Sequence, residues 1–170
     1  VLFRSEHPLF VAAKLQGIPV IGEVDLAWRI NISKPNPSLW FGITGTNGKT
    51  TTTEMLNSIF LAAGMNSVAC GNVGFSLIDA VMDKSNYTHL AVELASFQTT
   101  RIREAQFWGS TLLNLAEDHL DWHKDFTDYA ASKFNLFNYS KYSLFNADDE
   151  KIISFADKID DLKKIGRAHV

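Results

Sequence analysis

The chain has 170 residues, 46% of them hydrophobic and 21% charged, which suits one ordinary globular core, or one domain plus a piece of another, and excludes a disordered tail. A net charge of −3 argues against general binding to nucleic acid, and the longest apolar runs, such as Ile59–Ala63, fall far short of the ~20 residues a membrane span needs. No signal-peptide layout opens the chain, and the single thiol, Cys70, has no internal partner and reads as a small core residue, so a soluble, cytoplasmic protein is expected.

The ends stand apart from the rest. VLFRS (1–5) and IGRAHV (165–170) read as translations of common short-read sequencing adapters and are expected to be non-native tails. Without Arg4 and Arg167, 14 basic residues face 19 acidic ones, a net charge of −5 over residues 6–164.

Between the tails, His7–Gln16 has apolar residues at helical spacing and Gly17 as a stop, followed by a short strand in IPVI (18–21). A small helix over Glu23–Ile30 leads into NISKPNPS, whose two prolines sustain neither helix nor ladder, so a domain boundary is expected near Asn31–Ser38. Residues 6–37 then form the end of an N-terminal domain and its linker, and 38–164 an incomplete central domain. LWFGIT (39–44) reads as a buried strand and Thr50–Ala63 as a helix with Met55, Leu56, Ile59, Phe60 and Ala63 on one face. Further strands are expected at 66–70, 89–95, 110–115 and 142–147, with a short helix ending at Val81 and others over 126–138 and 151–164. That alternation implies an α/β fold: a mostly parallel sheet with helices on both faces and ligands at the carboxyl ends of its strands.

Four stretches carry chemistry. The first is GITGTNGKTTTT (42–53), between a strand and a helix; it misses the spelling G-x-x-x-x-G-K-[ST] at Ile43 but has the layout for capturing phosphate. Its glycines let backbone N–H groups converge on an anion, Lys49 can reach terminal phosphates, and the Thr50 hydroxyl can bind Mg²⁺; the plainer alternative is a glycine turn capping a helix. The second is Lys133, in the middle of the apolar stripe Phe126, Tyr129, Ala130, Phe134 and Phe137. It is either a snorkelling lysine or a desolvated one with a lowered pKa, able to act as a nucleophile or take a covalent modification. Third is Glu93, inside the apolar strand HLAVELA, as a metal ligand or a core salt-bridge partner. Fourth is NLAEDHLDWH (114–123), a metal-binding loop or a solvated helix-capping turn.

TGTNGKTTT, GNVG, VELASFQ, NLAEDHLDWH and YAASKFNLF, in this order and spacing, resemble the Mur ligase family of cell-wall synthesis over nearly all of residues 6–164. The resemblance implies an ATP-dependent amide ligase in which the substrate carboxylate is phosphorylated and the acyl phosphate is attacked by an amino acid's amine. It implies that Gly45, Thr46, Asn47, Gly48, Lys49, Thr50 and Thr51 hold ATP, that Thr50 and Glu93 bind one Mg²⁺, and that His119 binds a second. The lysine at position 133 would be N-carboxylated and support that second ion, and Lys49, His119 and Lys133 would be the catalytic set. Asn72, Ser96 and Gln98 would meet the substrate. The S-F-Q after Glu93 and the lead-in HPLFVAAKLQGIPVIGEVDLAWR are most similar to the member that adds D-glutamate to UDP-N-acetylmuramoyl-L-alanine, acting as a monomer. Ala95, where the family often has serine, and Thr99-Thr100-Arg101 depart from its pattern. Alternatives are a family member or folylpolyglutamate synthase using another amino acid, or a phosphate-loop module without ligase chemistry. Lacking most of the flanking domains the family pattern implies, the chain alone is expected to be inactive.

Overall fold

The computed structural model describes residues 7–118, 122–156 and 165–168, the last four as backbone alone. In chain order the elements are α1 (Pro8–Leu15), α2 (Glu23–Ile32), β1 (Leu39–Thr44), α3 (Lys49–Ala62), β2 (Ser67–Gly71), α4 (Leu77–Met82) and β3 (His89–Glu93). Then follow α5 (Ser96–Thr99), β4 (Phe107–Leu112), α6 (Phe126–Phe134), a 3₁₀ turn (Asn135–Tyr139), β5 (Ser140–Asn146), α7 (Glu150–Ala156) and β6 (Ile165–Ala168). The strands form one parallel sheet in the order β2-β3-β1-β4-β5-β6.

That order explains where a ligand can go. From β1 the chain crosses over β3 to reach β2, whereas from β4 it moves the other way to β5, so connections diverge beyond the carboxyl ends of β1 and β4. Right-handed crossovers then place α3 on one face and the later helices on the other. The packing agrees: Leu90, Val92, Trp40 and Phe107 join Leu77 and Val81 of α4 and Val24 and Ala27 of α2 in one cluster. Leu112 and Phe145 join Tyr129, Phe134 and Ile152 in a second cluster.

Several sequence expectations change at this level. IPVI forms no strand; Pro19 lacks an N–H to donate, and Ile18 and Val20 lie exposed. The helix expected over 126–138 closes at Phe134 and tightens into the 3₁₀ turn, and that expected over 151–164 is seen at Glu150–Ala156, with 157–164 outside the described residues. On α3, Phe60 is buried, but Met55 and Ile59 are 60% and 61% exposed. They border a groove of about 680 Å³ with Phe41, Ile43, Tyr142 and Leu144, over β1, β4 and β5. The backbone of 165–168, expected as a tail, extends the sheet as β6; an open parallel edge can pair with extended chain whatever its side chains.

α2 precedes the proline-rich linker yet belongs to the core of the sheet, and Asp25 shows why. Buried in that helix, its Oδ1 accepts the N–H groups of Arg103, Glu104 and Ala105 at 3.2, 3.1 and 3.0 Å, and Oδ2 that of Arg103 at 3.0 Å. One carboxylate thereby satisfies three N–H groups in the turn that starts β4. Asp25→Ala should leave them unpaired and destabilise the protein by about 2–4 kcal/mol, read as a lower denaturation midpoint in a urea titration, with Asp25→Asn losing less.

Candidate active site

β1 ends at Thr44 and the chain turns through Gly45–Gly48 into α3. Gly48 has φ +78°, a left-handed conformation that costs a side-chain-bearing residue about 1–2 kcal/mol, so glycine sits directly before the helix. The loop is pinned from the β4 side. Thr46 N–H donates to the Asn114 carbonyl at 3.1 Å, Asn47 N–H to Asn114 Oδ1 at 2.8 Å, and Asn114 Nδ2 to the Asn47 carbonyl at 3.0 Å. Thr46 Oγ1 accepts the Ala116 N–H at 2.9 Å and lies 3.0 Å from the Tyr129 hydroxyl. Asp149 Oδ2 accepts the Leu115 N–H at 2.9 Å, so the segment clamping the loop is itself anchored near the start of α7.

Two lysines meet this loop. Lys49 Nζ donates to the Thr46 carbonyl at 2.8 Å. Lys133, reaching from α6, donates to the Gly45 carbonyl at 2.9 Å and stands over the Tyr129 ring at 4.6 Å. Lys133 is 2% exposed, so it does not snorkel. Burial, and then the positive charge of Lys49, lower its pKa from 10.5 to about 7, against an opposing pull from Asp118. The amine is therefore poised to be neutral near physiological pH.

Glu93, at the carboxyl end of β3, is 3% exposed. The Thr50 hydroxyl donates to its Oε2 at 2.8 Å and the Asn72 amide to its Oε1 at 3.3 Å; among the described residues no cation pairs with it. A buried carboxylate held only by neutral donors, beside a phosphate-loop threonine, is the donor set that suits a hard cation such as Mg²⁺. No three His, Cys, Asp or Glu side chains cluster among the described residues. Mg²⁺ fits that sparse set, because it keeps water and takes nucleotide phosphates as ligands.

The other residues singled out in sequence are placed as follows. Asn47 and Gly48 are exposed on the loop, and Thr51 is exposed in the first turn of α3. Ser96 is buried, its Oγ 2.8 Å from His123 Nε2, while His123 Nδ1 lies 3.1 Å from Asp128. Gln98 Oε1 accepts the Ala95 N–H at 2.9 Å. His119 lies outside the described residues. Sequence reasoning missed Tyr129, Asn114 and Asp149 as partners of the loop; Tyr129 read only as part of an apolar stripe. A second cleft, of about 870 Å³, opens between the N-terminal elements and the sheet domain, with Lys14, Arg101, Arg103 and Lys124 in its lining.

The comparisons with known proteins agree with this geometry. The Mur ligase middle domain family matches residues 43–167. The chain is 42% identical over 169 residues to the UDP-N-acetylmuramoylalanine–D-glutamate ligase of Streptomyces coelicolor, covering 96% of this chain and 36% of that one. It is 40% identical to the ligase of that name from Streptomyces avermitilis, with the same coverage. The chain thus spans about a third of the length of these curated relatives. Among solved structures, the MurF ligase of Thermotoga maritima in complex with ADP superposes with a TM-score of 0.66 at 18% identity, covering 86% of this chain and 35% of that one. E. coli FolC in complex with DHPP and ADP gives 0.59 at 18% identity, covering 97% and 52%. With a phosphate loop, a buried glutamate beside it and a buried lysine on it, and with that match over most of its length, the chain belongs to the Mur ligase family.

Proposed function

We propose that the full-length protein is an ATP-dependent ligase that joins D-glutamate to UDP-N-acetylmuramoyl-L-alanine in the cytoplasm, as a monomer, for peptidoglycan synthesis. The observation that carries this reading is Lys133: a buried amine with a pKa lowered to about 7, set against the phosphate-loop carbonyl of Gly45, suits carbamate formation beside the nucleotide phosphates. The name shared by the relatives at 40% and 42% identity favours D-glutamate. The basic cleft suits a substrate bearing phosphates.

In this reading the loop amides of Gly45–Gly48, with Thr51 at the helix start, cradle the ATP phosphates, and Lys49 leaves the Thr46 carbonyl to neutralise the transferred phosphoryl group. Thr50 and Glu93 would hold one Mg²⁺, and His119 with N-carboxylated Lys133 the second; bound there, the ions would offset repulsion between the attacking carboxylate and the triphosphate. The neutral Lys133 amine adds to CO₂, forming an N–C bond and releasing one proton, which turns a buried amine into an anion. Substrate carboxylate then attacks the γ-phosphorus with ADP leaving, and the D-glutamate amine displaces phosphate from the acyl phosphate to give the amide. Asn72, Ser96 and Gln98 face or support the muramoyl substrate.

Phosphate release by the full-length protein with ATP, Mg²⁺ and UDP-N-acetylmuramoyl-L-alanine tests this. Release should depend on D-glutamate and not on diaminopimelate, lysine or L-glutamate. Release with another amino acid alone would move the protein to a sibling ligase or to folylpolyglutamate synthesis; nucleotide binding without ligation under any of them would leave a phosphate-loop module.

A further inference from the structure

The GNVG turn after β2 does more than border the substrate side. Gly71 has φ +116°, and a Cβ there would lie 2.2 Å from the carbonyl oxygen of Glu93, so only glycine lets the turn press against the end of β3. The pressing brings Asn72 onto Glu93 twice: its backbone N–H donates to the Glu93 carbonyl at 2.9 Å, and its side-chain Nδ2 to Oε1 at 3.3 Å. With Thr50 on Oε2, the two carboxylate oxygens are gripped from two different elements, the first turn of α3 and the turn after β2. A glutamate's last torsion is broad and nearly two-fold, so an ungripped carboxylate would rotate and present its lone pairs in many directions.

We propose that Asn72 is a positioning residue for Glu93, whose amide fixes the rotation of that carboxylate and so sets its affinity for a divalent cation before the muramoyl substrate arrives. This deepens the ligase reading and rests on Glu93 as a metal ligand. At 3.3 Å this hydrogen bond is longer than the backbone one beside it, so it is the contact a substrate group on Asn72 would exchange for its own. A substrate group that draws Asn72 away is therefore felt at the metal, which links the substrate-side turn to metal loading. Partners that orient a metal ligand typically govern its affinity 10- to 100-fold.

The test is an electron paramagnetic resonance titration of Mn²⁺ into the full-length protein with a non-hydrolysable ATP analogue and no muramoyl substrate. Asn72→Ala and Asn72→Ser, neither able to reach Oε1, should weaken Mn²⁺ binding by about 10- to 100-fold. Because Asn72 is exposed, truncation empties no core. Mn²⁺ affinity within twofold of wild type, accompanied by a raised KM for the muramoyl substrate, would overturn the proposal and leave Asn72 as a substrate contact alone. Glu93→Gln in the same titration separates the two levels: unchanged Mn²⁺ binding there would sink the metal-ligand reading itself, whatever Asn72 does.

Discussion

Lys133→Ala in the full-length protein is expected to lower kcat by roughly 100- to 1,000-fold, the scale of losing one fixed electrostatic group at a developing charge. Nucleotide binding should survive, because the loop keeps its amides and Lys49. Formate or acetate at high concentration should restore part of the activity by placing a carboxylate in the space the truncated side chain leaves. A module that merely binds nucleotide would show neither loss nor rescue. The pH dependence has a definite sign. CO₂ adds only to the neutral amine, and the Lys133 pKa stands at about 7, against an ordinary 10.5. Above pH 7 the amine is mostly neutral and the carbamate can form; as pH falls through about 7, the amine takes a proton and the carbamate is lost. Activity at low bicarbonate should therefore fall on the acid side of about 7, and added bicarbonate should shift that limb to lower pH.

Glu93→Gln is the second large effect, and it should move activity and stability in opposite directions. Turnover should fall by about 100-fold or more, since a neutral amide replaces the charge that holds the cation. The metal-free variant should melt higher than wild type, because a carboxylate 3% exposed and without a cation is replaced by a neutral group of the same shape. Mg²⁺ with nucleotide should raise the wild-type melting temperature by mass action and leave that of Glu93→Gln nearly unchanged. Calorimetry with and without ligands reads both outcomes; a variant that melts lower than wild type and still gains stability from Mg²⁺ would contradict the metal role.

These expectations depend on contacts that differ in how plainly the sequence announces them. The phosphate loop is legible because its chemistry is local: strand, glycines, lysine, threonine and helix are contiguous, and Gly48 adopts the left-handed turn its position demands. Lys133 is legible as an anomaly on an apolar stripe, yet what separates its two readings is the burial of its Nζ on Gly45, 88 residues earlier in the chain. Glu93 stands out in the same way, but its partners Thr50 and Asn72 come from the start of α3 and the turn after β2. The apolar face of α3 is legible as apolar but not in how far it is buried, because burial depends on what packs opposite; Phe60 meets Phe41, whereas Met55 and Ile59 overhang the groove above β4 and β5.

What this sequence determines by itself is therefore what short-range sterics and periodicity control: the alternation of strands and helices, the phosphate-binding turn, and the charges of Glu93 and Lys133 set within apolar stretches. Tertiary structure decided the strand order, the docking of α2 through Asp25, and the hydrogen bonds of Asn114, Tyr129 and Asn72. Each of those joins groups many residues apart, whose meeting depends on the handedness of the crossovers and the register of the sheet, and no local pattern in the chain encodes either.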